Sequence, residues 1–243
     1  MAKKTTVKPY TQEGSKKEQV TNMFDNIAPK YDFLNRFLSV GVDTIWRKKA
    51  ISQLNNNHQY ILDVATGTAD VAIEISKRLK PTHITGMDIS SEMIKYGQSK
   101  VDKAQLNEVI KLEVGDSENL RYEDAQFDAV TAAFGVRNFG NLEKGLKEMH
   151  RVLRQDGKIV ILEFSKPTMF PFKQLYNFYF RNILPFIGKI TSKDQKAYGY
   201  LYESVQSFPD YDKFADILEN LGFRSVEWKP LTLGICTIYT GIK

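Results

Sequence analysis

The chain of 243 residues has few cysteines and histidines and no long apolar run. Its single cysteine, Cys236, excludes an intramolecular disulfide, and three scattered histidines leave no convincing zinc site. Apolar runs are short, as at residues 159–162, so no transmembrane helix is predicted. The N-terminal residues show no signal sequence either. Together these absences predict a cytoplasmic protein that binds no structural metal.

Positive charge is concentrated in two segments of the chain. The formal net charge is +5, yet residues 1–17 alone carry +4 and residues 166–196 carry +5, so the rest is mildly acidic. We predict that residues 1–17 form a basic, disordered tail and that residues 18–243 form a single domain. An acidic body argues against nucleic acid as a partner.

Strand-like and helix-like segments alternate between residues 60 and 164. The predicted strands cover residues 60–64, 83–87, 109–114, 127–133 and 158–164, and the predicted helices between them cover residues 69–79, 90–101 and 141–154. Such alternation implies an α/β fold with right-handed crossovers, a parallel sheet and helices on both faces. After a helix at residues 210–221, two close strands at 224–229 and 236–241 indicate a hairpin, so at least one strand is antiparallel to the rest.

The turn after the first predicted strand, residues 65–70 (ATGTAD), is built from small residues. A dinucleotide-binding loop would carry three glycines as G-x-G-x-x-G, but only Gly67 is present in that register and Asp70 occupies the third position. Asp63 and Asp70 would repel a pyrophosphate, so a ligand without phosphate and with a cationic centre fits better. S-adenosylmethionine has those properties, and Gly67 lets the backbone approach it closely.

Two further acidic residues follow the next two strands. Asp88 ends the second strand, where a carboxylate can accept hydrogen bonds from both ribose hydroxyls of a nucleoside. Asp116 follows the third strand beside Ser117, where it can accept from an adenine amino group. Each alone is also compatible with a simple helix cap. Their occurrence at the ends of successive strands, together with Asp63, indicates a binding site for S-adenosylmethionine.

Several stretches, covering nearly the whole chain after the tail, resemble the ubiquinone/menaquinone biosynthesis C-methyltransferases. The matching stretches are residues 23–32 (MFDNIAPKYD), residues 31–39 with Trp46, residues 134–138 (FGVRN), residues 151–165 (RVLRQDGKIVILEFS) and residues 200–209 (YLYESVQSFP). This chain has Leu34 where the family usually has methionine, and Asp43 where it often has histidine. Residues 155–156 (QD) replace the usual Pro-Gly. These departures are conservative or lie in turns.

The resemblance implies the class I S-adenosylmethionine-dependent methyltransferase fold, which is Rossmann-like and has seven strands with the last inserted antiparallel. It also implies methyl transfer from S-adenosylmethionine to a ring carbon of demethylmenaquinol, giving menaquinol. On the family pattern, Thr66, Asp88, Asp116 and Ser117 contact S-adenosylmethionine. Ala133 stands where some relatives have serine, so one side-chain contact is lost there.

Methylation at carbon requires an electron-rich acceptor ring. An oxidised quinone would not attack, whereas a reduced quinol with one deprotonated hydroxyl places charge on the adjacent ring carbon. We expect Arg137 to stabilise this phenolate and Asn138 to orient the hydroxyl. Guanidinium groups keep their proton in proteins, so a water held by Arg137, or the phenol of Tyr31, would relay the proton. Loop capping by Arg137 and Asn138 and simple packing by Tyr31 are the alternatives.

Residues 166–208 interrupt the strand–helix alternation with an aromatic and basic segment. Seven aromatic residues lie between positions 170 and 186, and Pro171 and Pro185 divide the segment into pieces too short to span a bilayer. We predict a substrate lid that covers an isoprenoid tail and rests on anionic lipid at the inner face of the cell membrane. An ordinary helix pair packed on the sheet is the alternative.

Other functions stay open at this stage. The acceptor is the prenylated naphthoquinol, a prenylated benzoquinol of ubiquinone biosynthesis, or both, and methylation of another small molecule is a further alternative. A methyltransferase for RNA is disfavoured by the acidic body and by the lack of an Asn-Pro-Pro-Tyr-type motif. A non-catalytic binding subunit would have a degraded cofactor loop, which this chain does not have. The sequence leaves open whether the chain forms a homodimer.

Overall fold

The computed structural model describes residues 7–10, 13–179, 182 and 195–243. A seven-stranded sheet forms its centre, in the spatial order β3-β2-β1-β4-β5-β7-β6. The strands are β1 Tyr60–Val64, β2 His83–Asp88, β3 Ile110–Val114, β4 Phe127–Ala133, β5 Leu153–Phe164, β6 Arg224–Leu231 and β7 Cys236–Ile242. The first five strands are parallel, and β7 pairs antiparallel with both β5 and β6. The predicted seven-stranded sheet with an antiparallel last strand is confirmed.

Helices connect these strands and cover both faces of the sheet. In the described part of the chain they are α1 Lys16–Ile27, α2 Tyr31–Leu38, α3 Val42–Ile51, α4 Asp70–Leu79, α5 Ser91–Lys103, α6 Leu142–Val152, α7 Phe172–Phe178, α8 Gln195–Ser207 and α9 Asp212–Asn220. Across the residues that the structure describes, no helix has both the length and the apolar character needed to cross a bilayer.

The sheet separates two apolar cores. Neighbouring strand residues point to opposite faces, so Ile61 joins the core beneath α3 and α4, whereas Leu62 joins the core beneath α6 and α9. Both residues are fully buried. Burial on both faces is typical of a parallel sheet and explains why its central strands are almost continuously apolar.

Helix α1 begins at Lys16, inside the segment predicted as a disordered tail. Ser15 accepts a hydrogen bond from the Glu18 N–H, and the Glu18 carboxylate accepts one from the Ser15 N–H at 2.8 Å, which makes a capping box. Upstream, the Tyr10 N–H donates to Gln19 Oε1 at 2.9 Å. Lys16 and Lys17 of the predicted tail thus belong to α1. Residues 1–6 and 11–12 of that prediction lie outside the described residues.

Strand β5 begins at Leu153, five residues before its predicted start. Leu153 pairs with Phe127, and after an irregularity Lys158 pairs with Ala129. The predicted helix over 141–154 accordingly ends at Val152. Backbone pairing with β4 outweighs helical periodicity here, because a short apolar run fits either element.

Replacing Leu146 by alanine tests the core on the α6 side of the sheet. Leu146 is fully buried in that core, so we expect the free energy of unfolding to fall by about 2–5 kcal/mol through lost burial and the cavity left behind. Chemical denaturation measures this change. The neighbouring Lys147→Ala variant, at an exposed position of the same helix, should stay within about 0.5 kcal/mol of the parent. Equal losses in both variants would contradict this description of the core.

Candidate active site

The carboxyl ends of β1 to β4 meet along one edge of the sheet, where a cleft lies. The backbone that follows β1 there is left-handed at Ala65, Gly67 and Ala69, with φ of 55°, 55° and 65°. Ala65 thus adopts a conformation that glycine favours, at the position where a dinucleotide loop has its first glycine. The added Cβ of a residue at Gly135 would lie 2.5 Å from the Ala65 Cβ, so this glycine is required for close packing against the loop.

Asp63, at the base of the loop, is buried and engaged on both oxygens. The hydroxyls of Thr66 and Thr131 each donate to it at 2.6 Å. Burial raises the pKa of Asp63 to about 6, although both hydroxyl donors favour the ionised form. Asp63 and Thr66 line a small polar cavity beside the loop, with Gly67 between that cavity and the cleft. In this geometry Asp63 braces the loop through Thr66.

Asp88, at the end of β2, lines the cleft directly. Its two oxygens accept the backbone N–H groups of Gly67 and Ser90, each at 2.9 Å. Burial raises the pKa of Asp88 to about 6, and the N–H donors act in the opposite direction. The Ser90 hydroxyl in turn donates to Asp25 of α1 at 2.6 Å. Asp88 therefore ties the glycine loop to the start of α5 and faces the cleft.

Asp116 and Ser117, after β3, also line the cleft, and Asp116 holds a partner that the sequence did not predict. Lys17 Nζ of α1 lies 2.7 Å from one Asp116 oxygen and 3.2 Å from Glu118. Lys16 Nζ donates to the backbone oxygens of Arg137 and Phe139 at 3.0 and 2.8 Å, and burial lowers its pKa to about 8. Both lysines lie in the segment predicted to be a disordered tail. The Ser15–Glu18 capping-box spacing was the signal for a helix here.

Helix α1 covers the cleft. Its Lys17, Val20 and Phe24 form part of the lining, and the enclosed volume is about 60 Å³. A small-molecule site usually encloses a few hundred Å³ or more. A ligand of nucleoside size needs more room than this, and Lys17 and Asp116, which form an ion pair, both line the space that it would occupy.

A second and larger cavity of about 410 Å³ lies next to the cleft. Helices α1, α2, α3, α7 and α8 form its walls, and its lining is mostly apolar. Phe24, Tyr31, Phe134 and Asn138 line both the cleft and this cavity. The two spaces therefore meet at these four side chains. We call the second space the acceptor cavity.

Arg137 lines the acceptor cavity and is buried in an ion pair. Its Nη1 donates to Glu163 Oε1 at 2.7 Å and to the Phe134 oxygen, and its guanidinium lies 5.3 Å from the centre of the Phe164 ring. Glu163 is fully buried at the end of β5. The role of Glu163 is not visible in the sequence, although a buried arginine requires such a partner. Asn138 follows in the same turn, with its Nδ2 weakly bonded to the Phe134 oxygen at 3.4 Å.

Tyr31 lies where the two spaces meet, with its ring edge-on to Phe24 at 6.1 Å. Burial raises the pKa of its phenol, although the positive charges of Arg47 and Arg137 act against this. The phenol therefore keeps its proton at neutral pH, and it also forms a hydrogen bond with the Asn35 side chain. Tyr31, Arg137 and Asn138 all line the acceptor cavity, and their catalytic roles stay predictions.

Comparison with known proteins agrees with this geometry. The model of the ubiE/COQ5 methyltransferase family matches residues 12–243. A demethylmenaquinone methyltransferase of Bacteroides fragilis is 47% identical over 238 residues, covering 98% of this chain and 97% of the relative. The ubiquinone/menaquinone biosynthesis C-methyltransferase of Geotalea daltonii is 47% identical over 230 residues, covering 94% of this chain and 97% of the relative.

Solved structures show the same fold at low sequence identity. An S-adenosylmethionine-dependent methyltransferase of Thermotoga maritima superposes with a TM-score of 0.65 at 16% identity, covering 91% of this chain and 99% of that one. The shared fold and the family match over nearly the whole length agree. The chain belongs to the ubiE/COQ5 methyltransferase family.

Proposed function

We propose that this chain transfers the methyl group of S-adenosylmethionine to a ring carbon of demethylmenaquinol, giving menaquinol. The observation that carries the proposal is the meeting of an acid-lined cleft with an apolar cavity at Tyr31 and Asn138. Methyl transfer is an in-line displacement, so donor and acceptor must be held at one shared boundary. The names of the relatives support a quinone acceptor.

The residues of the cleft suit S-adenosylmethionine. Asp88 and Asp116 present carboxylate oxygens for ribose hydroxyls and an adenine amino group, and Ser117 adds a hydroxyl beside them. Lys17 is the cation that lines the cleft in the described residues, and it is already paired with two carboxylates. Such a cleft favours a cationic, phosphate-free ligand.

The chain's own residues prepare the acceptor. Arg137 and the Tyr31 phenol offer hydrogen bonds to a quinol oxygen as its proton leaves to water, and Asn138 holds the ring in place. Because Glu163 balances the charge of Arg137, stabilisation of the phenolate comes from directed N–H and O–H donors rather than from a free positive charge. When bound, S-adenosylmethionine supplies the methyl group, whose bond to sulfur breaks as the bond to the ring carbon forms. The ring hydrogen then leaves as a proton to water.

Replacing Arg137 by lysine tests the proposed chemistry. Lysine keeps a charge beside Glu163 but loses the planar donor fork, so we expect kcat to fall roughly 100-fold with little change in S-adenosylmethionine affinity. The assay follows labelled methyl transfer to reduced demethylmenaquinone. Label should enter the ring only when the acceptor is reduced.

The matched control is Arg154→Lys, at an arginine paired with Asp128 away from both spaces. This variant should keep its activity. If the parent protein labels no quinol, or labels the oxidised quinone equally well, the proposed reaction is wrong. The same assay with a reduced prenylated benzoquinol tests the second acceptor, which the name of the Geotalea daltonii relative supports.

The pH dependence of cofactor binding tests the role of Asp88. Its pKa is raised to about 6, and ribose hydroxyls donate to the ionised form. Affinity for S-adenosylmethionine should therefore be full above about pH 7 and decline as the pH falls through 6. Calorimetric titration across this range measures the change.

Two variants separate the buried acids in that experiment, because burial also raises the pKa of Asp63 to about 6. Asp88→Asn should weaken binding about tenfold or more at pH 8 and remove its dependence on pH. Asp63→Asn should keep that dependence, since Asp88 remains. The reverse pattern would assign the titration to the loop brace and contradict a direct contact by Asp88.

The described parts of residues 166–208 support a lid over the acceptor. Leu175, Tyr176 and Tyr179 from the first part, and Tyr200 and Leu201 from α8, line the acceptor cavity. An apolar tail of the acceptor would lie against these side chains. Residues 180, 181 and 183–194, which include Arg181 of the predicted basic lid, lie outside the described residues.

Exposed apolar side chains support contact with a membrane surface. Phe33 and Phe37 of α2 stack with ring centres 5.8 Å apart and are both largely exposed, with Arg36 exposed between them in sequence. Met169 and Phe170 are likewise exposed before α7. These elements adjoin the acceptor cavity, so the same surface would rest on anionic lipid and admit a prenylated substrate.

Flotation with phosphatidylcholine vesicles, with and without phosphatidylglycerol, tests this surface. We expect binding that strengthens with the anionic lipid and falls roughly tenfold or more in Phe33→Ser/Phe37→Ser. Tyr96→Ser, at an exposed aromatic residue of α5, should bind as the parent does. Absence of vesicle binding together with a dimer on gel filtration would assign the surface to a homodimer instead.

A further inference from the structure

Arg137 Nε, Asn138 Oδ1 and the Tyr200 hydroxyl are buried without a hydrogen-bond partner among the residues that the structure describes. Polar atoms in protein interiors almost always have partners, because burying one without a partner costs stability. All three residues line the same cavity. Their grouping indicates that the bound acceptor supplies the partners.

Tyr200 reaches this wall from a different element than the other two residues. It lies in α8, only 3% exposed, and its ring packs against Val20 and Met23 of α1. Helix α8 also packs on the turn Val136–Asn138 that carries Arg137. Helix α8 and the turn Val136–Asn138 therefore both contribute polar residues to the wall of the acceptor cavity.

The hydrogen-bonding capacities of the three groups differ. Arginine Nε–H only donates, an asparagine carbonyl oxygen only accepts, and a phenol does both. Burial raises the pKa of Tyr200, with the charge of Arg137 acting against this and that of Glu163 in favour, so its hydroxyl keeps its proton. A 1,4-quinol offers two oxygens that donate and accept, and after deprotonation one of them only accepts. Such a head group has the kinds of donor and acceptor that these three atoms lack.

We propose that Tyr200 is a further acceptor-binding residue, whose hydroxyl donates a hydrogen bond to a quinol oxygen and stabilises it as its proton leaves. This inference rests on the proposed methylation of a quinol. Helix α8 would then contact both parts of the acceptor: its apolar side chains cover the tail, and Tyr200 recognises the reduced ring. A ring without an ionisable hydroxyl would gain less from this contact.

Thermal melting of the ligand-free Tyr200→Phe protein is the first test. The variant keeps the ring and removes only a hydroxyl without a partner, so the melting temperature should rise by roughly 2–4 °C. Tyr202→Phe, in the same helix but outside the cavity lining, should show no such gain. A lower melting temperature for Tyr200→Phe would show that the hydroxyl has a protein partner and would overturn the proposal.

Kinetics with reduced demethylmenaquinone is the second test. In Tyr200→Phe we expect kcat/KM to fall about tenfold. The midpoint of the rise of kcat with pH should move up by about one unit, because kcat reports the bound complex and the bound quinol loses a donor to its anion. S-adenosylmethionine affinity and the kinetics of Tyr202→Phe should match the parent. A parent-like pH profile in Tyr200→Phe overturns this inference alone, whereas an inactive parent protein overturns the proposed function and this inference with it.

Discussion

The carboxylate of Asp88 is the constraint on which the site depends. It is buried at the end of β2, yet it accepts N–H groups from the loop after β1 and from the start of α5. Hydrogen bonds to an ionised acceptor are stronger than neutral ones, and they offset part of the cost of burying the charge. Two neighbouring strand–helix turns are thereby held in register at the edge where a ligand would bind.

Buried charge and unpaired polar atoms occur together on the acceptor side of this edge. The ion pair of Arg137 with Glu163 is costly to desolvate, and breaking it would leave one charge unpaired in the interior. Arg137 Nε, Asn138 Oδ1 and the Tyr200 hydroxyl, which have no hydrogen-bond partner in the described part of the chain, add a further cost. A chain selected for stability alone would have apolar residues at these positions. The cost is consistent with a site built to bind a polar ring at one end of an apolar space.

Sequence predicted the sheet well because its central strands are buried on both faces and leave a continuous apolar pattern. The acids at the strand ends were also predictable, since parallel strands bring their carboxyl ends to one edge. Lys16 and Lys17 were not, because a run of lysines looks like a solvated tail when no spatial partner is known. The role of Glu163 was missed for a similar reason: its partner Arg137 is 26 residues away in sequence.

Helix α1 contributes to both spaces at once. Lys17 and Val20 cover the cleft, Met23 lines the acceptor cavity, and Phe24 lines both. Any displacement of this helix that widens the cleft also shifts a wall of the neighbouring cavity. Thermodynamic linkage makes any effect of one ligand on the affinity of the other, transmitted through this helix, equal in both directions. The shared helix is therefore the element through which occupancy of one space would be felt in the other.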